Sequence, residues 1–235
     1  MALGQRTYLQ LANRALIRLG KAQVTTLVGT TTDTWPDFVK ILLNDAQQEI
    51  GKEHDWSTLI TSVTFTTSSR TYNLATSVST FGREIDLVDT GNRRVLVAVN
   101  LRDIDEQDPA NTISGVPTAY AIHYPDLLFN LTPTSVAFRL RYVKRPTDLS
   151  ADADVSTLPE YCDLPMVWWV VWQLYASRED AADGGGRAQG IYQRSLDRAI
   201  AQDRNRMDRL YRLRPMFGGR WRDPVPWPAA YDTNP

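Results

Sequence analysis

The apolar residues of this chain keep a helical period at its two ends and a period of two between them, which narrows the folds open to it. Near the start, Tyr8, Leu9, Ala12, Ala15, Leu16 and Leu19 recur at the three- and four-residue spacing of one helix face. Thr7 stands where an N-cap belongs, and Gly20 where the helix closes. After a threonine-rich loop over 25–34, a second helix is predicted with Thr34 as N-cap and Pro36 in its first turn, a position that tolerates a missing N–H. Val39, Leu42, Leu43, Ala46 and Ile50 form its inner face, and it ends near His54, Asp55 and Trp56. From 58 to 145 the alternation predicts short strands at 63–66, 83–88, 95–101, 119–123, 127–131 and 137–143. Turn signals at Ser68-Ser69, Thr90-Gly91-Asn92, Tyr124-Pro125-Asp126 and Thr132-Pro133-Thr134 divide several of them. Six such strands predict a small antiparallel sandwich or barrel.

Helical spacing returns after the linker Ser150-Ala151-Asp152-Ala153-Asp154. Asp163 is expected to cap a third helix with Pro165 in its first turn, running through Trp168, Trp169, Trp172 and Tyr175 to about Ala182. That segment is apolar nearly all round and so is expected to be covered on most faces, inside a bundle or between subunits. Gly184-Gly185-Gly186 reads as a helix C-cap and tight turn, followed by a long helix over 188–212 with Tyr192, Leu196, Ala199, Met207 and Leu210 as its seam. None of the four helices is long enough to be stable alone, so they must pack together. The expected fold class is α+β: a four-helix bundle formed by the N- and C-terminal helices, an inserted antiparallel β domain, and an extended C-terminal arm. The expected parts are 1–57 and 150–213 for the bundle, 58–149 for the sandwich- or barrel-like insertion, and 214–235 for the arm.

The arm segment holds five prolines, Pro215, Pro224, Pro226, Pro228 and Pro235, with Trp221, Trp227, Phe217 and the Gly218-Gly219 pair. Proline at that density blocks helix and central strand. Disordered tails are poor in large aromatics, and tryptophan and arginine are favoured anchors of interfaces. The segment therefore reads as an arm that docks on a partner subunit, or equally as one that wraps its own domain.

Charge is as unevenly placed as hydrophobicity. The chain carries a net charge of −1, yet residues 187–222 hold ten arginines, three acids (Asp197, Asp203, Asp208) and no lysine, a net +7 that leaves −8 for the rest. Such asymmetry marks a polyanion-binding surface or a contact between oppositely charged subunit faces. The bland reading is a solvated helix face with Asp197 paired to Arg194 or Arg198 and Asp208 to Arg204 or Arg212. With 43% apolar and 23% charged residues the composition is that of an ordinary globular protein. Its single cysteine, Cys162, excludes an internal disulfide. Gln5, Arg6 and Asn13 break any N-terminal signal pattern, so retention in a cytoplasm is expected. The run from 166 to 172 is far short of the roughly 20 residues that span a bilayer, so no membrane role is expected.

No catalytic constellation emerges from the residues. His54 and His123 lie far apart and off metal-ligand spacing, and they read as structural or solvated histidines. Cys162 reads as a small packing residue. Gly185 and Gly190 have the glycine spacing of a phosphate loop, but Ile191-Tyr192 replaces the required Lys-Ser/Thr. Asp103, Asp105 and Asp108 imitate the start of a calcium loop, but Asp108 stands in place of the glycine and Ser114 in place of the glutamate, leaving a solvated acidic loop as the expectation. No cofactor, metal or enzymatic activity is expected.

Two opening motifs, Tyr8-Leu9-Gln10-Leu11-Ala12-Asn13-Arg14-Ala15-Leu16-Ile17-Arg18-Leu19-Gly20 and Leu43-Asn44-Asp45-Ala46-Gln47-Gln48-Glu49-Ile50, are followed by Asp55-Trp56-Ser57-Thr58-Leu59. Further along stand Gly115-Val116-Pro117-Thr118-Ala119-Tyr120, Leu140-Arg141-Tyr142-Val143-Lys144-Arg145-Pro146 and Leu158-Pro159. In order and spacing this series resembles head-to-tail adaptor (connector) proteins of tailed bacteriophages, similar to the tail-tubular or gatekeeper-type adaptors that bind the portal. The resemblance implies a virion protein assembled in the host cytoplasm. It further implies a ring of about 12 copies beneath the portal protein, continuing the channel through which genomic DNA passes without sequence recognition, and a platform for a downstream tail or nozzle protein. The three tryptophans of the third helix and the arm lie outside that pattern. Combined with the charge count, the portal contact is expected at Arg209, Arg212, Arg214, Phe217, Arg220, Trp221, Arg222 and Trp227. The alternatives are a nucleic-acid-binding module using the arginine helix, a tail-completion ring at another virion position, and an unrecognised enzyme working in the β domain.

Overall fold

A computed structural model describes residues 5–27, 34–78, 80–110, 112–177 and 182–212, with the backbone alone for Thr34, Ala182, Asp183 and 208–212. Helices α1 (Tyr8–Arg18) and α2 (Thr34–Glu53) open the chain. Thr7 and Gln10 form a reciprocal capping box at the start of α1, satisfying two donors that the first turn leaves free. Gly20 adopts φ +69°, a left-handed value that glycine takes at little cost, just past the last turn. After the β region, a single 3-10 turn (Glu160–Cys162) leads into α4 (Asp163–Ala176), and α5 (Ala182–Arg212) follows. The helix α4 packs against α1, α2 and α5, and α1 also packs on α2. One continuous core joins Tyr8, Leu11, Leu16, Leu43, Ile50, Trp56, Val167, Val170, Leu196 and Ala199. The apolar α4 thus lies at the centre of the helices, which is why so little of its surface is polar.

Eight strands occupy the middle: β1 (Ile60–Thr67), β2 (Thr71–Asn73), β3 (Phe81–Asp89), β4 (Arg94–Val95), β5 (Val97–Ala98), β6 (Ala119–His123), β7 (Asp126–Phe129) and β8 (Val136–Lys144). They form two four-stranded sheets, ordered β1-β8-β3-β4 and β2-β7-β6-β5. Alternation along β1 buries Phe65 and Thr67 and exposes Ser62, Thr64 and Thr66. The sheets meet through aromatic rings, Phe65 on Tyr72 at 4.0 Å and Phe129 on Phe138 at 4.6 Å between centroids. Pairing is antiparallel except between β5 and β6, which run parallel. A short helix, α3 (Leu101–Gln107), separates those two strands and makes the parallel return possible.

Several expectations are corrected. The strand expected over 95–101 is two short strands, and the stretch read as a solvated acidic loop is α3 followed by a buried Asp108. Alternation cannot reveal that Asp108 is recruited by Arg70, a residue distant in sequence (Nη1 to Oδ2, 3.1 Å). The third helix ends at Ala176 rather than near Ala182, and the glycine triplet lies within α5 instead of forming a turn. Gly184 packs its Cα side against the ring of Tyr175, where an added Cβ would meet ring carbons at 3.3 Å, so close approach to α4 explains glycine there. Asp163 does not cap α4: it lies inside the helix and its carboxylate accepts from the Arg6 backbone N–H (3.3 Å) and guanidinium (3.2 Å). The segment read as a linker is docked, because Asp154 accepts from Ser150 and Ala151 while its carbonyl accepts from the Tyr8 N–H at 2.8 Å.

The polar residues of the adaptor-like motifs also have a structural use. Asn44 holds Leu149 in a two-bond clasp, its amide donating to the Leu149 carbonyl (3.1 Å) and its oxygen accepting from the Leu149 N–H (2.8 Å). Gln47, fully buried, donates to the Thr147 carbonyl and accepts from Ser156. Gln48 donates to the Pro146 carbonyl at 2.8 Å. Three side chains of α2 thereby satisfy the irregular backbone that leaves β8, a region with no ladder partner of its own.

Candidate interaction surface on the last helix

The arginine-rich segment begins on α5, whose buried seam contains Ala188, Tyr192, Leu196 and Ala199, with Met207 half-buried beyond. At 100° per residue, Arg187, Arg194 and Arg198 fall on one stripe opposite that seam, and all three are exposed. Arg204 and Arg206 are exposed further along. Among the described residues none of these five arginines forms an ion pair, and Asp197 accepts from Gln193 (3.5 Å) rather than pairing with Arg194 or Arg198. The expectation of a self-neutralised face is therefore corrected at Asp197. The side chain of Asp208 is outside the described residues. Arg194 and Arg198, four residues apart, and Arg187, seven residues before Arg194, point along one surface of α5, so these three cations add into a common field.

One acid of the segment faces inward. Asp203 is fully buried and accepts from the Ser57 N–H (3.1 Å), the Ser57 hydroxyl (2.7 Å) and the Tyr161 hydroxyl, with His54 Nε2 at 3.2 Å. Burial and the acceptor bond to Asp203 push the Tyr161 phenol well above its usual range. The node ties α5 to the end of α2 and to the chain entering β1, so the register of the arginine stripe is fixed against the β lobe. His54, edge-on to Trp56 at 5.0 Å, is a structural histidine here, as its sequence context implied. Cys162 is fully buried, and burial pushes its thiol far up, which makes it a packing residue. His123 is exposed at the end of β6.

A cleft of about 660 Å³ borders the stripe, lined by Glu160, Tyr161, Arg198, Gln202, Asn205 and Arg206. Of the expected contact residues, Arg209 and Arg212 lie in the last turns of α5, continuing it past this cleft. Arg214, Phe217, Arg220, Trp221, Arg222 and Trp227 lie outside the described residues, as does the whole arm. Sequence reading missed Asp203 as a node because it counted the residue among surface acids. Its spacing from Tyr192, Leu196 and Ala199 on the seam was the available signal.

Among the described residues no group of His, Cys, Asp and Glu side chains is placed to hold a metal ion, and no helix is long and apolar enough to cross a membrane. Among the described residues these features define a mixed α+β protein with five helices and two mostly antiparallel β-sheets. The particular family follows from comparison: the family model described as SU10 adaptor protein matches residues 6–219, and the chain belongs to that family. No curated protein matches it. Membership makes it a phage adaptor, a structural component of the virion that contacts other virion proteins, and points away from an enzyme.

Proposed function

We propose that this chain is a head-to-tail adaptor of the portal-binding, gatekeeper-like type. Copies form a ring under the portal protein, continue the DNA channel and present a platform to the next tail component. The observation that carries the reading is the outward stripe of Arg187, Arg194 and Arg198 on α5, in a chain whose family match extends to residue 219. Unpaired arginines on a rigid helix suit bidentate pairing with carboxylates of an acidic neighbour. In this reading 1–57 and 150–213 form a four-helix bundle, 58–149 the β insertion, and 214–235 an arm. The portal contact is carried by Arg209, Arg212, Arg214, Phe217, Arg220, Trp221, Arg222 and Trp227, with the aromatic residues as anchors.

The test is to mix the purified chain with the portal protein encoded beside it and measure the mass of the assembly, with residues 214–235 present and deleted. A multi-copy complex that requires 214–235 is the expected result. Binding unaffected by the deletion would remove the arm assignment. No complex in either case would move the protein to another position in the virion, such as a tail-completion ring.

A further inference from the structure

The flank of α5 away from the basic cleft has the opposite character. Between α2, α4 and α5 lies a cleft of about 370 Å³ lined by Glu49, Glu53, Trp169, Trp172 and Tyr192. The Trp172 and Tyr192 rings stack at 5.8 Å with 18° between planes, and both tryptophans are half-buried. Glu49 meets only the exposed Lys52 of its own helix (2.6 Å), and Glu53 has no cationic partner among the described residues. The Tyr192 phenol is pushed up to about 12, by burial first and then by the Glu53 and Glu49 charges, so both carboxylates act on this cleft.

Two carboxylates beside aromatic faces make a receptor for a flat, delocalised cation: the rings stack on it and the carboxylates pair with its edge N–H groups. The chain already uses half of this arrangement internally, where the Arg18 guanidinium sits 4.3 Å over the Trp168 ring. The two clefts lie on different parts of α5: at 100° per residue Arg198 falls about 120–160° around the helix from Tyr192, Gln193 and Leu196, and Arg206 lies roughly 20 Å along the helix from Tyr192. An anionic aromatic socket and a cationic ridge set apart on one molecule can pair between successive copies, a head-to-tail contact of the type that closes into rings.

We infer that the Glu49/Glu53/Trp169/Trp172 cleft is the socket for an arginine of a second copy, supplied from the Arg198–Arg206 side of α5. This deepens the ring reading proposed above, and its occupant is fixed by charge complementarity: residues 187–222 hold ten arginines and no lysine. Glu160 lies at the rim of the basic cleft, so that side is cationic in balance rather than uniformly.

The experiment is sedimentation velocity of the full chain over rising concentration, using wild type, E49R/E53R, R198E/R206E and an equimolar mixture of the two variants. Thermal unfolding of each confirms that it folds. Wild type is expected to self-associate, each variant to associate about tenfold or more weakly, and the mixture to recover association because one variant keeps the ridge and the other the socket. Three results would overturn the inference: a monomeric wild type across the range, variants that associate as wild type does, or a mixture that fails to recover. Portal binding by the wild-type chain is measured separately. A chain that binds portal but fails these pairing tests would keep the adaptor reading and lose the socket, and the reverse pattern would do the opposite.

Discussion

In the β lobe one buried node centres on a cation. Arg70 is 7% exposed and donates to the Phe129, Asp108 and Ile104 carbonyls and to the Asp108 carboxylate. In the helical lobe such a node centres on an anion, Asp203, served mostly by neutral donors from Ser57 and Tyr161, with His54 alongside. Both tie irregular chain to regular elements, but they distribute the task differently. Arg70 concentrates four bonds on one guanidinium, so its removal takes the guanidinium away from the buried Asp108 carboxylate, which also accepts from the Thr112 and Ile113 N–H groups. Asp203 draws on several donors, each replaceable by the rest. A concentrated node fails at once when its centre is removed, whereas a distributed one loses stability in steps.

The largest effect is therefore expected at Arg70. R70M keeps the stem's packing and breaks the buried Arg70–Asp108 pair, a change that costs about 3–5 kcal/mol. Urea unfolding of the full chain reads it; a loss under about 1 kcal/mol would show that neither charge is held as the geometry indicates.

Whether such nodes were legible in the sequence separates the two lobes again. The four longer helices were legible because their apolar residues recur at the helical period, which also placed Thr7 as the N-cap of α1 and Val39, Leu43, Ala46 and Ile50 in the core; the reciprocal Gln10 bond, α3 and the α4–α5 boundary were not. The central strands β6 and β8 were legible through alternation. The three-residue β2, the break at Leu101 and the parallel β5–β6 pair were not, since each is decided by tertiary pairing. Arg70 and Asp108 are separated by 38 positions, and nothing local marks them as partners. Of the interaction surface, the excess of arginine on α5 could be counted, but the inward turn of Asp203 and the Glu49/Glu53 cleft required the packing of α2 against α4.

A second buried carboxylate sharpens the contrast through pH. Asp163 is pushed up to about 6, chiefly by burial, with Arg6 pulling the other way. Between the ordinary value of 3.8 and about 6 the folded chain keeps a proton that the unfolded chain has released. Stability from this group is thus full at low pH and is lost as pH rises through about 6, by up to about 3 kcal/mol. D163N should flatten that slope while leaving the Arg70 node untouched. Unfolding midpoints of both proteins across this window test it, and equal slopes would refute the assignment.

Within the distributed node the step is smaller. Y161F removes one of the donors to Asp203 and leaves the Ser57 and His54 contacts in place, so a cost of about 1 kcal/mol is expected. A loss as large as that of R70M would mean that Tyr161 alone holds Asp203 and that the node is concentrated after all.

The smallest effect on folding is expected on the outward stripe. Arg187 and Arg194 are exposed and form no ion pair among the described residues, so R187Q/R194Q removes two charges without uncovering a partner. Surface changes of this kind shift stability by less than about 0.5 kcal/mol. Glutamine keeps comparable helix propensity, which isolates charge from backbone preference. If the stripe serves partner contact, the same variant should bind portal protein more weakly and with a shallower dependence on salt, because fewer screened charges take part. An unfolding midpoint that fell as far as that of Y161F would place these arginines with the internal nodes. An unchanged midpoint with weakened, less salt-sensitive binding would divide the charges of α5 by task, with Asp203 setting the position of the helix and the arginines facing another protein.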